Sequence, residues 1–226
     1  DAAERRPLAD FLEKNTGTVK KIKPATKKRY LLIGRERRLV YETLLTTAAR
    51  WSELRAVTVA DCVLDGNAPH ILLKAAATKN RRADNVPLTT DLAAKLKAWV
   101  KDSARIGKAS LFDMPANGVK PFNRDLVFAG LASATVEINE DGDKITTIHK
   151  TNDQGEVLDI HCLRHTAATR LARAGVPVSV AQRILRHSDP KLTMSLYTHL
   201  GILDTAAAVE SLPVLGTTAG SKKKIK

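Results

Sequence analysis

The sequence predicts a mainly α-helical fold with a small antiparallel β-sheet. Apolar residues recur at helical spacing along most of the chain, and the pattern is clearest in residues 161–200. There Gly175 and Pro177, and then residues 188–190, divide the pattern into three short helices. Between residues 57 and 88, short apolar runs alternate with turn residues, which is typical of strands.

Length and charge limit the function classes. The 226 residues suffice for one sizeable domain with arms, and the formal net charge of +13 favours a polyanionic partner, most simply nucleic acid. The chain lacks the run of about eighteen apolar residues that a membrane helix needs, so we expect no membrane partner. Cys62 and Cys162 follow no metal or disulfide pattern, which favours the cytoplasm, where a DNA-bound protein would be nucleoid-associated.

The N-terminal third contains a linker and the first long helix. We expect residues 1–30 to be an N-terminal segment with a basic linker, in which VKKIKPATKKRY is either a solvated loop or a phosphate-contacting arm. A helical pattern follows over residues 34–49. Arg50 and Glu53 then stand one helical turn apart, and taken alone this pair is more typical of a surface salt bridge than of a functional site.

The predicted sheet comprises the runs VTV, HILLKA and VPL between residues 57 and 88. Lys79 lies in the hairpin loop TKNRRADN, where a lysine is usually solvated. An amphipathic helix is predicted over residues 89–105, capped by Thr90 or Asp91 and with Trp99 in the core.

The middle and the end of the chain predict two more helices and a hairpin. Apolar spacing indicates a helix over residues 122–136, after which alternation and the turn signals Asp141–Gly142 and Gln154–Gly155 indicate a hairpin or extended excursion leading to His161. A last helix is expected at residues 202–212, either docked on a neighbouring subunit or folded onto its own core. Residues 213–226 form a basic end that we expect to be disordered.

Four short motifs, in order along the chain, together resemble the catalytic domain of the tyrosine recombinases, the family of phage and transposon integrases. These motifs are ARWSEL from residue 49, TKN from residue 78, HCLRHTAATRLARAGV from residue 161, and LRHSDPKLTMSLYTHL from residue 185. The resemblance spans residues 50–197 and implies a DNA breaking-rejoining catalytic-domain fold over residues 31–212. The family's separate N-terminal DNA-clamping domain has no counterpart here, and the sequence begins without Met, so we expect a fragment of a longer protein.

The resemblance also implies a set of functional residues. The positions that match the catalytic residues of the family are Arg50, Lys79, His161, Arg164, His187 and Tyr197, with Glu53 as a supporting residue. Two departures concern the last motif. Nine residues separate His187 from Tyr197, one more than is usual in the family, and Arg186 stands where the family commonly has glycine.

The implied chemistry suits these residue types. A guanidinium can donate two hydrogen bonds to anionic phosphate oxygens, so Arg50 and Arg164 would clamp a DNA phosphate while Glu53 orients its neighbour. Tyr197 would attack the phosphorus and form a covalent 3′-phosphotyrosine. Because a phenol has an ordinary pKa of about 10, it needs a base near neutral pH, and the imidazole of His161 is the candidate.

The remaining two residues would assist this reaction. Lys79 would protonate the leaving 5′ oxygen, and His187 would donate a hydrogen bond to the phosphate or steady Tyr197. No metal or other cofactor is expected, since the arginines would supply the positive charge that a metal ion supplies elsewhere.

The sequence therefore predicts a metal-independent site-specific recombinase or integrase of a mobile element. Its expected partners are double-stranded DNA and further copies of the chain, assembled as a tetrameric synapse with possible exchange of C-terminal helices. Two alternatives remain open: DNA relaxation by a type IB topoisomerase, and a non-catalytic DNA-binding relic of a recombinase. The target DNA sequence, and the choice among integration, excision and resolution, are not encoded in any recognisable motif.

Overall fold

The computed structural model describes residues 2–15, 22–78, 81–151 and 154–199. The described helices are α1 (Ala2–Lys14), α2 (Pro24–Thr47), α3 (Trp51–Arg55), α4 (Thr90–Asp102), α5 (Val119–Phe128), α6 (Cys162–Arg173), α7 (Val178–Leu185) and α8 (Pro190–His199). The strands are β1 (Cys62–Val63), β2 (His70–Leu73), β3 (Asp84–Pro87), β4 (Ser133–Ile138) and β5 (Lys144–His149). The mainly helical fold with small antiparallel sheets is confirmed. Within the described ranges, no helix is both long and apolar enough to cross a membrane.

Helix α2 is longer than predicted. It starts at Pro24, so it includes most of the basic stretch interpreted as a loop or an arm, and it passes through the boundary expected after residue 30. Proline at the first helical position is favourable because that residue needs no amide donor there. Helix α1 packs across α2 at Gly34, where a Cβ atom would collide with the backbone carbonyl of Glu4.

The main sheet is antiparallel in the order β1-β2-β3, with Ile71 paired to both Cys62 and Val86. The strand predicted at residues 57–59 is wrong. Thr58 makes only an isolated bridge to Ser110, and the chain then turns, because the Asp61 carboxylate accepts hydrogen bonds from the Thr58 amide (2.9 Å) and hydroxyl (2.6 Å).

Helix α4 contributes buried residues to the same core cluster as this sheet. Its cap is Thr89, one residue before the predicted candidates, and the Thr89 hydroxyl accepts a hydrogen bond from the Leu92 amide at 3.2 Å. Trp99 is buried as expected, and its indole N–H donates to the Leu111 carbonyl at 2.8 Å. The largest core cluster therefore joins α2, the sheet and α4 into one support for the residues that follow α2.

The helix predicted over residues 122–136 is wrong in its second half. Helix α5 ends at Phe128, and Gly130 follows with a φ of 72°, a left-handed conformation that stops the helix. The chain then enters β4, which pairs with β5 in the hairpin predicted around Asp141–Gly142. Side chains on both faces of this hairpin are largely exposed.

The three C-terminal helices are confirmed. Gly175 has a φ of 70° and follows α6, and Pro177 directly precedes α7. Helix α6 packs against α2, α7 and α8, so the first and last thirds of the described chain meet along α6. The helix predicted at residues 202–212 and the tail at 213–226 lie outside the described residues.

Candidate active site

The termini of three helices bring four of the predicted residues together. Arg50 directly precedes α3, His161 and Arg164 lie at the N-terminal end of α6, and His187 follows α7. All four residues line one open cleft of about 720 Å³. The wall of the cleft is completed by His165, Ala168, Leu192, Ser195 and Leu196.

Glu53 is buried and binds Arg50 through its carboxylate. Its side chain is 1% exposed, and its carboxylate accepts hydrogen bonds from the Arg50 backbone amide (2.8 Å) and the Arg50 guanidinium (2.7 Å). Burial alone would raise the pKa of Glu53, but the Arg50 hydrogen bonds and the positive charge of Arg186 outweigh it and hold the pKa below its usual range. This pair is therefore not an ordinary surface salt bridge.

Arg164 links three parts of the fold. Its guanidinium donates hydrogen bonds to the backbone carbonyls of Ala48, at the end of α2, and Leu185, at the end of α7. Burial, together with the charges of Arg50 and Arg186, lowers the pKa of Arg164 to about 10. The guanidinium thus remains protonated at neutral pH, but it lies where an added negative charge would be stabilising.

His161 and His187 lie in different environments. His161 is exposed at the start of α6, where its backbone amide donates to the Asp159 carboxylate at 2.8 Å. His187 is partly buried, and its Nδ1 lies 2.9 Å from the hydroxyl of Thr193, a fully buried residue of α8. When that hydroxyl donates to Nδ1, the neutral ring carries its proton on Nε2. Neither Asp159 nor Thr193 is predicted from the sequence. For Asp159 a signal exists, because an aspartate just before a helix often accepts hydrogen bonds from the first backbone amides. For Thr193 there is none.

The pKa of His187 is lowered by burial and then by the nearby charges of Arg164 and Arg50. A histidine whose pKa is lower in the folded state stabilises the protein above its unfolded pKa of about 6.5, and this contribution is lost as the pH falls through the folded pKa. We expect the melting temperature to fall between pH 7.5 and pH 5, and to fall less in His187→Gln. Thermal unfolding followed by circular dichroism at several pH values measures this, with His70→Gln as the control. An equal pH dependence in His187→Gln and the wild type would contradict it.

The structure places Tyr197 outside the cleft. Its side chain is 3% exposed and packs with Ala172 and Ala181, and its hydroxyl donates a hydrogen bond to the Val176 carbonyl. Val176 lies beyond the C-terminal end of α6, whereas Arg164 lies in its first turn. Because α6 has 12 residues, the two ends are about 18 Å apart.

The orientation of α8 explains this separation. Leu192, Ser195 and Leu196 share the helix face that lines the cleft, whereas Thr193 and Tyr197 share the buried face. Burial also raises the pKa of Tyr197 above that of a free phenol. In this arrangement the arginines and histidines are assembled, and the tyrosine hydroxyl is enclosed on the other side of α8.

Lys79 lies outside the described residues, so its position relative to the cleft is not described. Its neighbours Thr78 and Arg82 line a second open cleft of about 810 Å³, which shares Arg50 and His187 with the first. In the described part of the chain, no group of three His, Cys, Asp or Glu side chains is placed to hold a metal ion.

Comparison with solved structures identifies the fold. The chain superposes on a XerH site-specific recombinase bound to its palindromic difH substrate with a TM-score of 0.53 and 19% identity, covering 92% of this chain and 53% of that one. It superposes on the Tn1549 transposon integrase in complex with circular intermediate DNA with a TM-score of 0.51 and 22% identity, covering 91% of this chain and 69% of that one. The fold is thus that of a tyrosine recombinase catalytic domain.

Sequence comparison identifies the family. The phage integrase family matches residues 19–202, and the chain belongs to this family. It is 28% identical over 176 residues to tyrosine recombinase XerC of Mycobacterium bovis, covering 76% of this chain and 52% of that protein. It is 29% identical over 167 residues to tyrosine recombinase XerA of Saccharolobus solfataricus, covering 74% of this chain and 46% of that protein. The chain therefore spans about half the length of these curated relatives.

Proposed function

We propose that this protein is a site-specific DNA recombinase or integrase that cleaves and rejoins DNA through a covalent 3′-phosphotyrosine. The observation that carries the proposal is the shared cleft of Arg50, Arg164, His161 and His187. Membership of the phage integrase family and similarity to Xer recombinases support the same reaction.

The two arginines bind the phosphodiester. Their guanidinium groups carry permanent charge and match the geometry of phosphate oxygens, and the buried Glu53 and the Ala48 and Leu185 carbonyls hold them before DNA arrives. Donors fixed in advance stabilise the extra negative charge of the transition state without reorganising. His187, neutral at pH 7, donates a further hydrogen bond from Nε2 to a phosphate oxygen.

The reaction is an exchange of one phosphoester bond for another. The Tyr197 oxygen bonds to phosphorus while the bond from phosphorus to the 5′ oxygen breaks, and rejoining reverses the exchange. His161 accepts the tyrosine proton, and Lys79 supplies a proton to the leaving 5′ oxygen. Because the Tyr197 side chain lies on the buried face of α8, away from the cleft, helix α8 has to rotate or shift to bring the hydroxyl to the phosphate.

The partners proposed are double-stranded DNA and further copies of the protein. Similarity to a recombinase and a transposon integrase that were both solved with DNA supports the first, as does the net charge of +13. We further propose that four copies assemble on DNA as a synapse and exchange C-terminal helices. The protein would act at the nucleoid in the cytoplasm.

A nicked suicide DNA carrying the site that the protein recognises tests this function. Cleavage next to the nick releases a short fragment and traps the protein on DNA, so we expect a covalent band on denaturing gels. Relaxation of supercoiled plasmids without site preference would favour the topoisomerase alternative. A protein that binds its site without forming any covalent species would be a non-catalytic relic, and the proposal would be rejected.

A further inference from the structure

Arg186 hydrogen-bonds to groups that hold Arg50 and Arg164, the two arginines of the proposed phosphate clamp. One terminal nitrogen donates to the Glu53 carboxylate at 3.0 Å and to the Ala48 carbonyl at 3.1 Å. The other donates to the carbonyls of Ile184 (3.2 Å) and Thr47 (3.4 Å). The side chain is only 11% exposed, so the guanidinium is fixed within the fold.

These contacts join the supports of both clamp arginines. Glu53 is the carboxylate that holds Arg50, and the Ala48 carbonyl is one of the two that hold Arg164. Arg186 therefore connects Arg50 to Arg164 through two shared acceptors. Without it, Glu53 would interact with Arg50 alone, and the Ala48 carbonyl would depend on Arg164 alone among the described donors.

Arg186 is a poor choice for stability alone. Its backbone is left-handed, with a φ of 53°, a conformation that glycine adopts without strain and most other residues do not. Its buried Nε has no hydrogen-bond partner within the described chain. It also adds a third positive charge beside Arg50 and Arg164, where Glu53 is the buried carboxylate of the cluster. Residues that combine strain with a partly compensated buried charge are concentrated at functional sites.

We propose that Arg186 is a positioning residue for the phosphate clamp, which holds Arg50 through Glu53 and Arg164 through the Ala48 carbonyl. This inference rests on the proposed function, because the phosphate of a DNA strand is the group that the clamp receives. One terminal nitrogen of Arg186 makes the bridge, and the other, bonded to the Thr47 and Ile184 carbonyls, fixes the plane of the guanidinium; a lysine ammonium lacks this second anchor.

The first experiment compares Arg186→Gly with the charge-matched control Arg173→Ala, which removes an exposed arginine at the C-terminal end of α6, outside both clefts. Loss of a group that only orients a ligand typically costs about 10- to 100-fold. We therefore expect Arg186→Gly to slow cleavage of the nicked suicide DNA by about 10- to 100-fold. We also expect its melting temperature to change little, because relief of the left-handed strain and of a buried charge offsets the lost hydrogen bonds, and its dissociation constant for DNA to change by less than about threefold. Equal losses in the two variants would mean that only charge matters and would overturn the proposal.

Two further variants separate positioning from stability. Arg186→Lys keeps the charge and should also lose cleavage, so full activity in this variant would overturn the proposal even if Arg186→Gly were unstable. In a Glu53→Gln background, where the bridge to Arg50 is already weakened, Arg186→Gly should have a much smaller effect. Fully additive effects would show that Arg186 does not act through Glu53.

Binding of inorganic orthovanadate, measured by isothermal titration calorimetry, tests the clamp without DNA cleavage. Orthovanadate is a tetrahedral oxyanion like phosphate, and we expect Arg186→Gly to weaken its binding by about tenfold and Arg173→Ala to leave it nearly unchanged. If the wild type cleaves no DNA but binds vanadate, and the two variants differ in vanadate binding as expected, the proposed function fails and the role of Arg186 stands. If the wild type binds no vanadate, or if both variants bind it as tightly as the wild type, the role of Arg186 is rejected.

Discussion

Replacing Arg164 by alanine is expected to reduce the rate of covalent complex formation by about 10³-fold. Removal of one preorganised donor to a transition-state charge typically costs about 10²–10³-fold, and Arg164 can supply two donors from one guanidinium. The change also removes the Arg164 donor from the Leu185 carbonyl, at about 1–3 kcal/mol, whereas the Ala48 carbonyl keeps its hydrogen bond from Arg186. The rate should be measured on nicked suicide DNA at a temperature at which circular dichroism shows the variant to be folded.

Two variants separate the chemistry of Arg164 from its charge and from its structural contacts. Arg173→Ala removes an exposed arginine from the other end of α6 and should retain cleavage within a few-fold. Arg164→Lys keeps a positive charge but cannot reach both carbonyls and a phosphate oxygen, so we expect it to remain strongly impaired. Near-normal cleavage by Arg164→Ala would exclude this residue from the clamp.

Tyr197→Phe is expected to abolish the covalent protein–DNA species completely while leaving the fold nearly intact. The ring keeps its packing against Ala172 and Ala181, and only the hydrogen bond to the Val176 carbonyl is lost, which corresponds to about 1 kcal/mol of stability. Denaturing gels with labelled DNA measure the covalent species, and thermal unfolding measures the stability.

Tyr41→Phe is the matched control for this experiment. The Tyr41 hydroxyl donates to the buried Asp125 carboxylate at 2.7 Å, and a hydrogen bond to a charged group contributes about 1.5–3 kcal/mol. This control should therefore lose more stability than Tyr197→Phe and still form the covalent species. A covalent band that persists in Tyr197→Phe would assign the nucleophile to another residue.

The resemblance to the recombinase motifs, and not a local pattern, singled out Arg50 and Arg164 for the clamp, although parts of its geometry are local. Arg50 and Glu53 are one turn apart, and the first turn of α6 presents His161 and Arg164 together. The breaks at Gly175 and Pro177 set the ends of α6 and α7 by backbone preference alone. Such features depend on a few adjacent residues, and the sequence contains them in full.

Other features depend on contacts that no short window contains. Nothing local distinguishes Thr193 from any threonine on a helix, because its importance arises from the approach of His187. Arg186 was noticed only as a departure from the usual glycine, and its bridge to Glu53 spans 133 positions of sequence. The motif around Tyr197 likewise contains no information about which face of α8 packs inward, since neighbouring helices decide this.

The burial of Tyr197 bears on how a DNA-cleaving protein avoids breaking DNA that it contacts by chance. A strongly basic protein contacts phosphates along any DNA, because counterion release does not depend on sequence. On the proposed mechanism, a tyrosine permanently exposed in the cleft would make each of these chance encounters an opportunity for a strand break. On the same mechanism, the hydrogen bond of the hydroxyl to the Val176 carbonyl means that strand breakage additionally requires a movement of α8.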